Sequence, residues 1–547
     1  MSPTGAASER IAYSFLKELG GQRVDGVANT LGLSLGGRVR RPKDWRLDAY
    51  GAYGLEEMVS DTTGLINSTF LAEATGSIAN SPLTAFDPLV DGYLNPFIGA
   101  GSNPKNILDF VSGGYIHRKT RSETKSANLK LDGTLWTLPA GPVGLALGGQ
   151  VRREGLKTGG AGLLSVYALT QATRRDARRT VKAAFAEVRV PIFGDAFPRP
   201  GLQRLELSAA VRREDYGHGV ASTAPQVGAL WSPVRGLSLK GSYGQSFRAP
   251  ALVELTDPQQ IGPTTLVTPT SQTIVMLLTG GNADLKPETA TSKALTLELA
   301  PPSWTAFKAS VTWFDTKFTH RIAQPGSDYL DLVLTQPEFA SFVTRVSPAT
   351  NAADRAKVQA LIDDPRSIAQ GVFPVESYEA IIDARYVNTG QLRVKGLDAQ
   401  AQYRTRLGVD PLVLSADLSW LMGFDRKITP TSRAIARAGM AGEPADFRSR
   451  YAAAWTHGAL TTTASVTHVG NFQTDAGQRV KPWTTADLNI RYAFKTGRLA
   501  GAAVALNVQN LLDKDPPFYE SANGIGFDAT SASAIGRMIT VQLTKTW

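Results

Sequence analysis

The connections between predicted strands alternate between short and long, and this pattern constrains the fold more than any single motif. Short connections fall at 138–142, 193–202, 233–235, 302–303, 406–409, 459 and 495–498. Long connections fall at 59–120, 157–178, 249–288, 321–385, 426–445, 473–478 and 513–531, and the reversal at 217/218 is tight although it lies on the long side. A membrane barrel has short turns on one side of the membrane and longer loops on the other, whereas a soluble sandwich has no reason to alternate. The pattern therefore predicts an all-β fold, an antiparallel transmembrane β-barrel.

Seventeen segments with period-2 patterning are predicted as strands, since a strand turns successive side chains to opposite faces. Most are longer than the roughly five or six residues usual in soluble proteins. They lie at 24–41, 45–58, 121–137, 143–156, 179–192, 203–217, 218–232, 236–248, 289–301, 304–320, 386–405, 410–425, 446–458, 460–472, 479–494, 499–512 and 532–547. In 391–404 the apolar parity changes at Gly396, which predicts a β-bulge there.

The last twelve residues, Gly536 to Trp547, show the alternation most clearly. One parity is apolar, with Ile539, Val541 and Leu543. The other parity is uncharged but polar, with Thr540, Gln542 and Thr544. We expect the apolar set to face lipid and the polar set to face the lumen.

The tryptophans support the same prediction. Those next to short turns are Trp45, Trp136, Trp231, Trp304, Trp455 and Trp547. Trp483 lies at the opposite strand end, beside a long connection. Aromatic residues concentrate at the two membrane interfaces, so this distribution favours a membrane-spanning sheet over random placement.

Composition excludes several classes of protein. The chain has 547 residues, 42% of them hydrophobic, and no run of about 18 apolar residues that would predict a transmembrane helix. The net charge of +10 calls for a test of nucleic-acid binding, but Lys and Arg are scattered among acidic residues and no basic helix or zinc-finger spacing is present. Without cysteine, disulfides and thiolate metal sites are excluded. The first residues show no signal-peptide pattern.

No catalytic, cofactor-binding or metal-binding residues are predicted. Gly32-Leu33-Ser34-Leu35-Gly36 matches the nucleophile-elbow pattern, but it lies inside an alternating strand with no helix after it. The acids Asp363, Asp364 and Glu206 have no evident partner. Histidine has no metal-ligand spacing at any of its positions, which are His117, His218, His320, His457 and His468.

Four segments resemble motifs of TonB-dependent outer-membrane receptors. They contain Phe247, Arg248, Ala249 and Pro250; Asn282, Leu285, Lys286, Pro287 and Glu288; Asn388, Gly390, Gly396 and Asp398; and Asn510, Leu511, Asp513 and Lys514. The terminal aromatic, Trp547, also fits the family. Leu512 stands where Phe is common, and Lys545 replaces an apolar or aromatic residue. Pro250 and Pro287 bracket a loop, because Pro cannot donate to a ladder. Asn510 and Asp513 suit a strand exit, because their side chains bond nearby backbone.

The resemblance implies energy-dependent uptake of a scarce nutrient across the cell outer membrane of Gram-negative bacteria. Family substrates include ferric siderophores, haem, cobalamin and oligosaccharides. The implied partners are an extracellular small-molecule ligand, outer-membrane lipid and lipopolysaccharide, and the energy-transducing protein TonB. We expect no nucleic acid, no cofactor and a monomer. Ligand selectivity is expected in loops 59–120, 249–288 and 321–385, which are large enough to close over a ligand.

The domain expectation is a partial barrel. Residues 1–23 are expected to be a non-strand segment, part of an extracellular loop of a longer receptor, and 24–547 a barrel domain lacking its plug. A closed antiparallel barrel has an even number of strands, and the receptors that this chain resembles have 22. The last strand is therefore expected to lack a continuous outer partner. The alternatives are a plugless passive porin and a soluble all-β carbohydrate-binding protein.

Overall fold

The computed structural model describes residues 13–42, 44–98, 102–164, 167–217, 219–267, 272–330, 332–370, 372–429, 432–519 and 526–546. The strands are β1 Arg23–Arg40, β2 Arg46–Leu65, β3 Gly114–Leu138, β4 Gly141–Leu163, β5 Thr170–Phe193, β6 Arg204–Asp215, β7 Ala221–Val234, β8 Leu237–Arg248, β9 Gln260–Val267, β10 Gln272–Thr279, β11 Glu288–Leu299, β12 Phe307–Thr319, β13 Ile322–Ala323, β14 Val343–Arg345, β15 Tyr378–Asp383, β16 Val387–Asn388, β17 Gln391–Leu407, β18 Asp410–Lys427, β19 Ile435–Ala436, β20 Phe447–His457, β21 Leu460–Val469, β22 Phe472–Gln473, β23 Arg479–Val480, β24 Trp483–Ala493, β25 Ala502–Gln509 and β26 Met538–Lys545.

Helices occupy the N-terminal segment and the long connections. The α-helices are α1 Leu16–Leu19, α2 Ser68–Ala74, α3 Pro88–Asp91, α4 Lys105–Val111, α5 Leu252–Thr256, α6 Pro325–Asp328 and α7 Ala352–Ile362. The 3₁₀ turns are Pro302–Trp304, Pro337–Phe342, Val375–Ser377 and Gly497–Leu499. Polar side chains start several of these helices; Asn67 accepts from the backbone N–H of Thr69, and Asn351 from that of Ala353.

One large antiparallel sheet contains the seventeen long strands, which pair in chain order as β1–β8, β11, β12, β17, β18, β20, β21 and β24–β26. Between most of these strands short turns alternate with long connections as predicted, but the connections from β4 to β5 and from β6 to β7 are as short as the turns at the other end of the sheet. The strand ends agree with the sequence prediction to within a few residues over most of the sheet. The prediction of an all-β antiparallel fold is confirmed.

The sheet has one apolar and one polar face, set by strand parity. Val541 lies across from Leu506, and Leu543 from Val504, so the predicted apolar parity of the last strand continues onto its neighbour. We call this the outer face. On the opposite, inner face Thr540 lies across from Asn507. The same division runs through the sheet, with Leu297 across from Val311 on the outer face and Thr296 bonded to Thr312 at 2.9 Å on the inner face.

The predicted bulge at Gly396 is confirmed. The register between β17 and β18 shifts between Lys395 and Gly396. A Cβ on Gly396 would lie 2.5 Å from the backbone oxygen of Trp420 and 2.8 Å from the ring of Phe314, so only glycine fits without movement. The extra residue is Met422 of β18, which has no partner in the ladder, whereas β17 keeps an unbroken register with β12. The apolar side chains of Leu392 and Val394 therefore lie on the face opposite to that of Leu397.

Four strands are longer than predicted, which corrects the connections at 59–120 and 157–178: β2 has 20 residues, and its three successors are extended as well. β3 has 25 residues, β4 has 23 and β5 has 24, so the hairpin between β4 and β5 fills most of 157–178. Strand also replaces the ends of 59–120, leaving 66–113 as the connection. These extensions were missed because both faces are polar there, so period-2 patterning stops although pairing continues.

The sheet has two edges among the described residues. β26 pairs only with β25, and β1 pairs only with β2, so the last strand lacks an outer ladder partner in the described part of the chain, as expected. Trp547 lies outside the described residues, as do 1–12 and His218. The tryptophans Trp136, Trp231, Trp304 and Trp455 lie at or near strand ends beside short turns.

Candidate ligand-binding site

The two longest connections, 249–287 and 320–390, fold together rather than as separate loops. β9 and β10 form a hairpin from the first connection, and β14 and β15 belong to the second. β10 and β15 pair in parallel, with Val275 across from Ala380 and Leu277 across from Ile382. The result is one four-stranded sheet above the barrel mouth, which we call the loop subdomain.

The loop subdomain has its own apolar core on both sides of this sheet. On one side Met276 and Tyr378 pack with Val358 of α7. On the other, Val275 and Ile382 pack with Phe339. Tyr378 is only 1% exposed, and Val275 and Ile382 are fully buried, so each connection supplies side chains that the other covers.

An arginine with two carboxylates attaches the loop subdomain to the barrel. Arg248, at the end of β8, donates to Glu254 of α5 at 3.0 Å and to Glu288 of β11 at 2.8 Å. Glu288 also accepts the backbone N–H of Ile322 at 2.6 Å. Charge-assisted bonds of this kind are among the stronger hydrogen bonds, so they fix where both connections leave the sheet.

A second clamp joins the same connections through Asn388. Its side chain donates to the carbonyl of Lys286 at 2.9 Å and to that of His320 at 2.8 Å. Its amide oxygen accepts the backbone N–H of Lys286 at 2.8 Å. One amide therefore satisfies three backbone groups from two connections.

The inner face below the subdomain carries a charged network. Arg152 of β4 donates to Glu154 at 2.6 Å and to Glu214 of β6 at 3.2 Å. Arg179 of β5 donates to Glu154 at 2.6 Å. Tyr216 donates to Glu214 at 2.5 Å. Because each carboxylate has more than one donor, the network holds three strands in fixed register near the barrel mouth.

A polar cavity of about 320 Å³ opens where the second connection meets the ends of β17 and β18. Arg426 donates to Glu443 at 2.9 Å and also contacts the Tyr329 hydroxyl. Arg321 and Lys427 line the same cavity. Three cations against two lining carboxylates, Asp328 and Glu443, leave an excess of positive charge at this position.

Connection 66–113 forms a separate packed unit. Phe86 and Phe110 stack with ring centroids 4.2 Å apart, and Phe70 stacks on Phe110 at 4.6 Å. The N-terminal residues Phe15 and Leu19 pack against this core. Each of the three connections expected to bind ligand therefore has buried apolar contacts of its own.

A family model described as "TonB dependent receptor-like, beta-barrel" matches residues 7–511. The chain belongs to this family. No curated protein sequence matches it. Among solved structures, the siderophore receptor PirA from Acinetobacter baumannii is similar, with 14% identity, a TM-score of 0.51, and 95% of this chain and 78% of that chain covered.

Two other structures show the same fold. The copper transporter OprC has 15% identity and a TM-score of 0.53, with 95% of this chain and 66% of that chain covered. The RagAB peptide transporter has 11% identity and a TM-score of 0.52, with 91% and 59% covered. The chain thus spans less than two thirds of these two transporters.

The motifs of the TonB-dependent receptor family lie at strand ends, as the sequence predicted. The side chain of Asn510 accepts the backbone N–H of Lys514 at 2.9 Å. Asp513 accepts the backbone N–H of Arg537 at 2.7 Å and has a left-handed φ of 53°. Gly390 lies against the backbone of Thr429, where a Cβ would come within 2.4 Å of the carbonyl oxygen. These residues shape the exits of strands.

The structure gives partners to the acids that the sequence left isolated, and it places Ser34 inside a strand. The sequence assigns no partner to Asp363, Asp364 or Glu206, and the structure gives one to each. Arg204 binds Glu206 at 3.0 Å, Arg366 binds Asp364 at 2.7 Å, and the side-chain amide of Gln359 donates to Asp363 at 2.9 Å. Both arginine pairs are two residues apart, which parity in a strand or a tight turn could have shown. Ser34 of the nucleophile-elbow pattern lies in the middle of β1, across from Ala52.

Among the described residues, no group of three or more His, Asp or Glu side chains is placed to hold a metal ion. His117 bonds to Asp61 and His457 to Asp410, each at 2.8 Å, on different strands. No helix of the described segments is long and apolar enough to cross a membrane.

The residues at the barrel mouth were not identified from the sequence. Arg152, Glu154, Arg426 and Glu443 gain their significance from contacts between distant segments. The alternation Arg152-x-Glu154 and Arg212-x-Glu214 places each pair on one strand face and was the available signal.

Proposed function

We propose that this protein is an outer-membrane receptor that takes up a scarce nutrient with energy delivered by TonB. The observation that carries the proposal is the family match over residues 7–511, together with a sheet whose outer face is apolar and whose inner face is polar. The neighbours of known structure are receptors and transporters for a siderophore, copper and peptides. The loop subdomain and connection 66–113 bind the ligand from outside the cell.

The ligand that best fits the barrel mouth is anionic, such as a ferric siderophore. The excess of positive charge around Arg321, Arg426 and Lys427 supports this, because arginine and lysine side chains bind carboxylates and phosphates. Haem, cobalamin and oligosaccharides are the competing substrates. In the membrane the protein is a monomer in contact with lipid and lipopolysaccharide.

Among the described residues the outer edges of β1 and β26 have no ladder partner, which supports a further part of the proposal. A row of unpaired backbone groups in lipid costs several kcal/mol for each group. Strands beyond those described therefore complete the barrel, and residues 1–23 form part of an extracellular loop ahead of the barrel domain 24–547.

The test is an uptake assay with the complete gene product in a host strain that lacks its own receptors. Labelled ferric siderophores, haem, cobalamin and an oligosaccharide are offered separately, with and without functional TonB. We expect TonB-dependent uptake of a ferric siderophore. Uptake that is independent of TonB would point to a passive pore, and no uptake of any of the four would contradict the proposal.

The packing of the loop subdomain determines which loop deletion is a clean test of ligand binding. Removing 325–380 alone would expose Val275 and Met276 of β10, because it takes away Phe339, which packs with Val275, and Val358, which packs with Met276. The better variant replaces both 252–285 and 325–385 by short Gly-Ser linkers and keeps Arg248 with Glu288. It should assemble as a barrel but lose ligand binding. Retained ligand binding would place the site elsewhere.

A further inference from the structure

The outer face changes from apolar to basic where β3 extends beyond the rest of the sheet. Its outer-face residues nearest the short turn are apolar, with Leu131 and Leu129. Further along the same parity come Lys125, Arg121 and Lys119. The distance from Lys125 to Lys119 along the strand is about 20 Å, at roughly 3.4 Å per residue.

The neighbouring strands carry the same change at the same level. Lys125 lies across from Arg153 of β4, and Arg121 across from Lys157. On β5 the outer-face cations include Arg178, across from Gly155, and Lys182, across from Val151. Three adjacent strands therefore present one continuous charged area, which we call the basic belt.

Cations outnumber carboxylates in the basic belt. The eight cations are Lys119, Arg121, Lys125, Arg153, Lys157, Arg174, Arg178 and Lys182. The carboxylates on the same face of these strands are Glu123 and Asp176, and the flanking strands β2 and β6 add Glu57, Asp61 and Asp215 together with the cation Arg213. Ion pairs join Arg121 to Glu57 at 3.1 Å and Lys157 to Asp176 at 3.0 Å. Within the described segments, Lys119, Arg153 and Lys182 have no carboxylate within ion-pair distance.

A groove of about 690 Å³ runs through the upper part of the belt. Lys119, Arg121, Lys157 and Arg174 line it, and two glycines, Gly159 and Gly160, lie between them. The side chain of Arg174 lies over Gly159, whose Cβ would be 3.6 Å from the arginine Cγ. At Gly160 a Cβ would come within 2.1 Å of the His117 backbone oxygen, so the groove lies between the four cations rather than over the glycines.

We propose that the basic belt binds the phosphate groups of an anionic glycolipid in the outer leaflet. Continuity with the apolar outer face places the belt where lipid headgroups begin, and its net positive charge complements phosphate. At a strand tilt of about 40°, the 20 Å from Lys125 to Lys119 correspond to roughly 15 Å of height, a headgroup layer rather than a single ion. This inference rests on the proposed outer-membrane location.

The test compares two triple variants of the full chain in zwitterionic detergent. The first, Lys119→Gln with Arg153→Gln and Lys182→Gln, removes belt cations that have no carboxylate partner. The control, Arg118→Gln with Lys308→Gln and Arg404→Gln, removes the same charge from the inner face. Binding of bisphosphorylated lipid A is measured by native mass spectrometry and by titration of tryptophan fluorescence.

We expect the belt variant to bind lipid A on the order of 100-fold more weakly, because each cation near an anionic lipid contributes roughly a factor of five. The control should bind like the unchanged protein. Dephosphorylated lipid A should bind weakly to all three proteins, and inorganic phosphate should not compete at millimolar concentration.

Three results would overturn the proposal: equal loss in both triple variants, equal binding of dephosphorylated lipid A, or competition by inorganic phosphate, which would indicate a simple anion site. Each single belt variant should lose about five-fold, which keeps the test informative if the triple variant misfolds. Lipid A binding is measured independently of nutrient uptake. A negative result for lipid A binding therefore does not contradict the proposed transport function, and a negative uptake result does not contradict lipid binding by the basic belt.

Discussion

Arginine at Val541 should destabilise the barrel strongly, whereas arginine at the next residue should not. β26 has eight residues, which span about 27 Å at roughly 3.4 Å per residue. At a tilt of about 40° this is about 21 Å of height, close to an apolar band of about 25 Å. Val541 lies three residues from one end and four from the other, near the centre of the band, and its side chain is 65% exposed on the outer face.

The expected loss for Val541→Arg is about 2–4 kcal/mol, the cost of arginine at the bilayer midplane. That loss changes the folding equilibrium by roughly 30- to 1,000-fold. Gln542→Arg places the same side chain on the inner face, across from Ala505, and should cost well under about 1 kcal/mol. The assay is urea unfolding in phospholipid vesicles, followed by tryptophan fluorescence.

A second pair on β25 tests the same reasoning away from the sheet edge. Leu506 lies across from Val541, and Asn507 across from Thr540. Leu506→Arg should therefore match Val541→Arg, and Asn507→Arg should match Gln542→Arg. Equal destabilisation within either pair would refute the assignment of the outer face to lipid.

Three further predictions concern the bulge and the loop subdomain. Gly396→Ala should cost about 1–3 kcal/mol in the same unfolding assay because its Cβ would meet backbone 2.5 Å away, whereas Gly32→Ala, with nothing within 4 Å, should be close to neutral. Tyr378→Phe should keep or raise the protection of the loop subdomain in hydrogen exchange, since the buried hydroxyl has no partner in the described structure; reduced protection would show that the hydroxyl is satisfied. The hydrogen bonds from Arg366 lower the pKa of Asp364 to about 2, so their contribution is complete above about pH 4 and lost as pH falls toward 2; Arg366→Gln should return the NMR titration midpoint toward 3.8, and an unchanged midpoint would contradict the pairing.

The sequence alone predicted the barrel strands because each carries its own local signal. The parity of Val541 and Gln542 fixes which side chain faces which environment, independent of the strand's partners. The parity change at Gly396 predicted the position of the register shift, but only the structure shows that the extra residue is Met422 of the neighbouring strand. Short turns and strand-exit residues such as Asn510 act within a few residues of chain, so their patterns can be read without a fold.

The extended strands β3–β5 show where local patterning stops. On β3 the residues from Tyr115 to Thr124 continue in regular pairing with β4, but side chains on both faces are mostly polar, so the alternation of apolar and polar side chains disappears. Only the register shows that Arg121 and Lys157 lie side by side on the outer face.

The loop subdomain was determined by the tertiary structure alone. The sequence predicted 249–288 and 321–385 as large loops, but the pairing of β10 with β15 joins segments about a hundred residues apart. An apolar stretch such as Val275 to Leu278 indicates that the segment is buried, but it does not indicate which other segment covers it. A parallel pair has no connecting turn to fix its register, so the pairing of Val275 with Ala380 follows from the folded barrel that holds the two connections together.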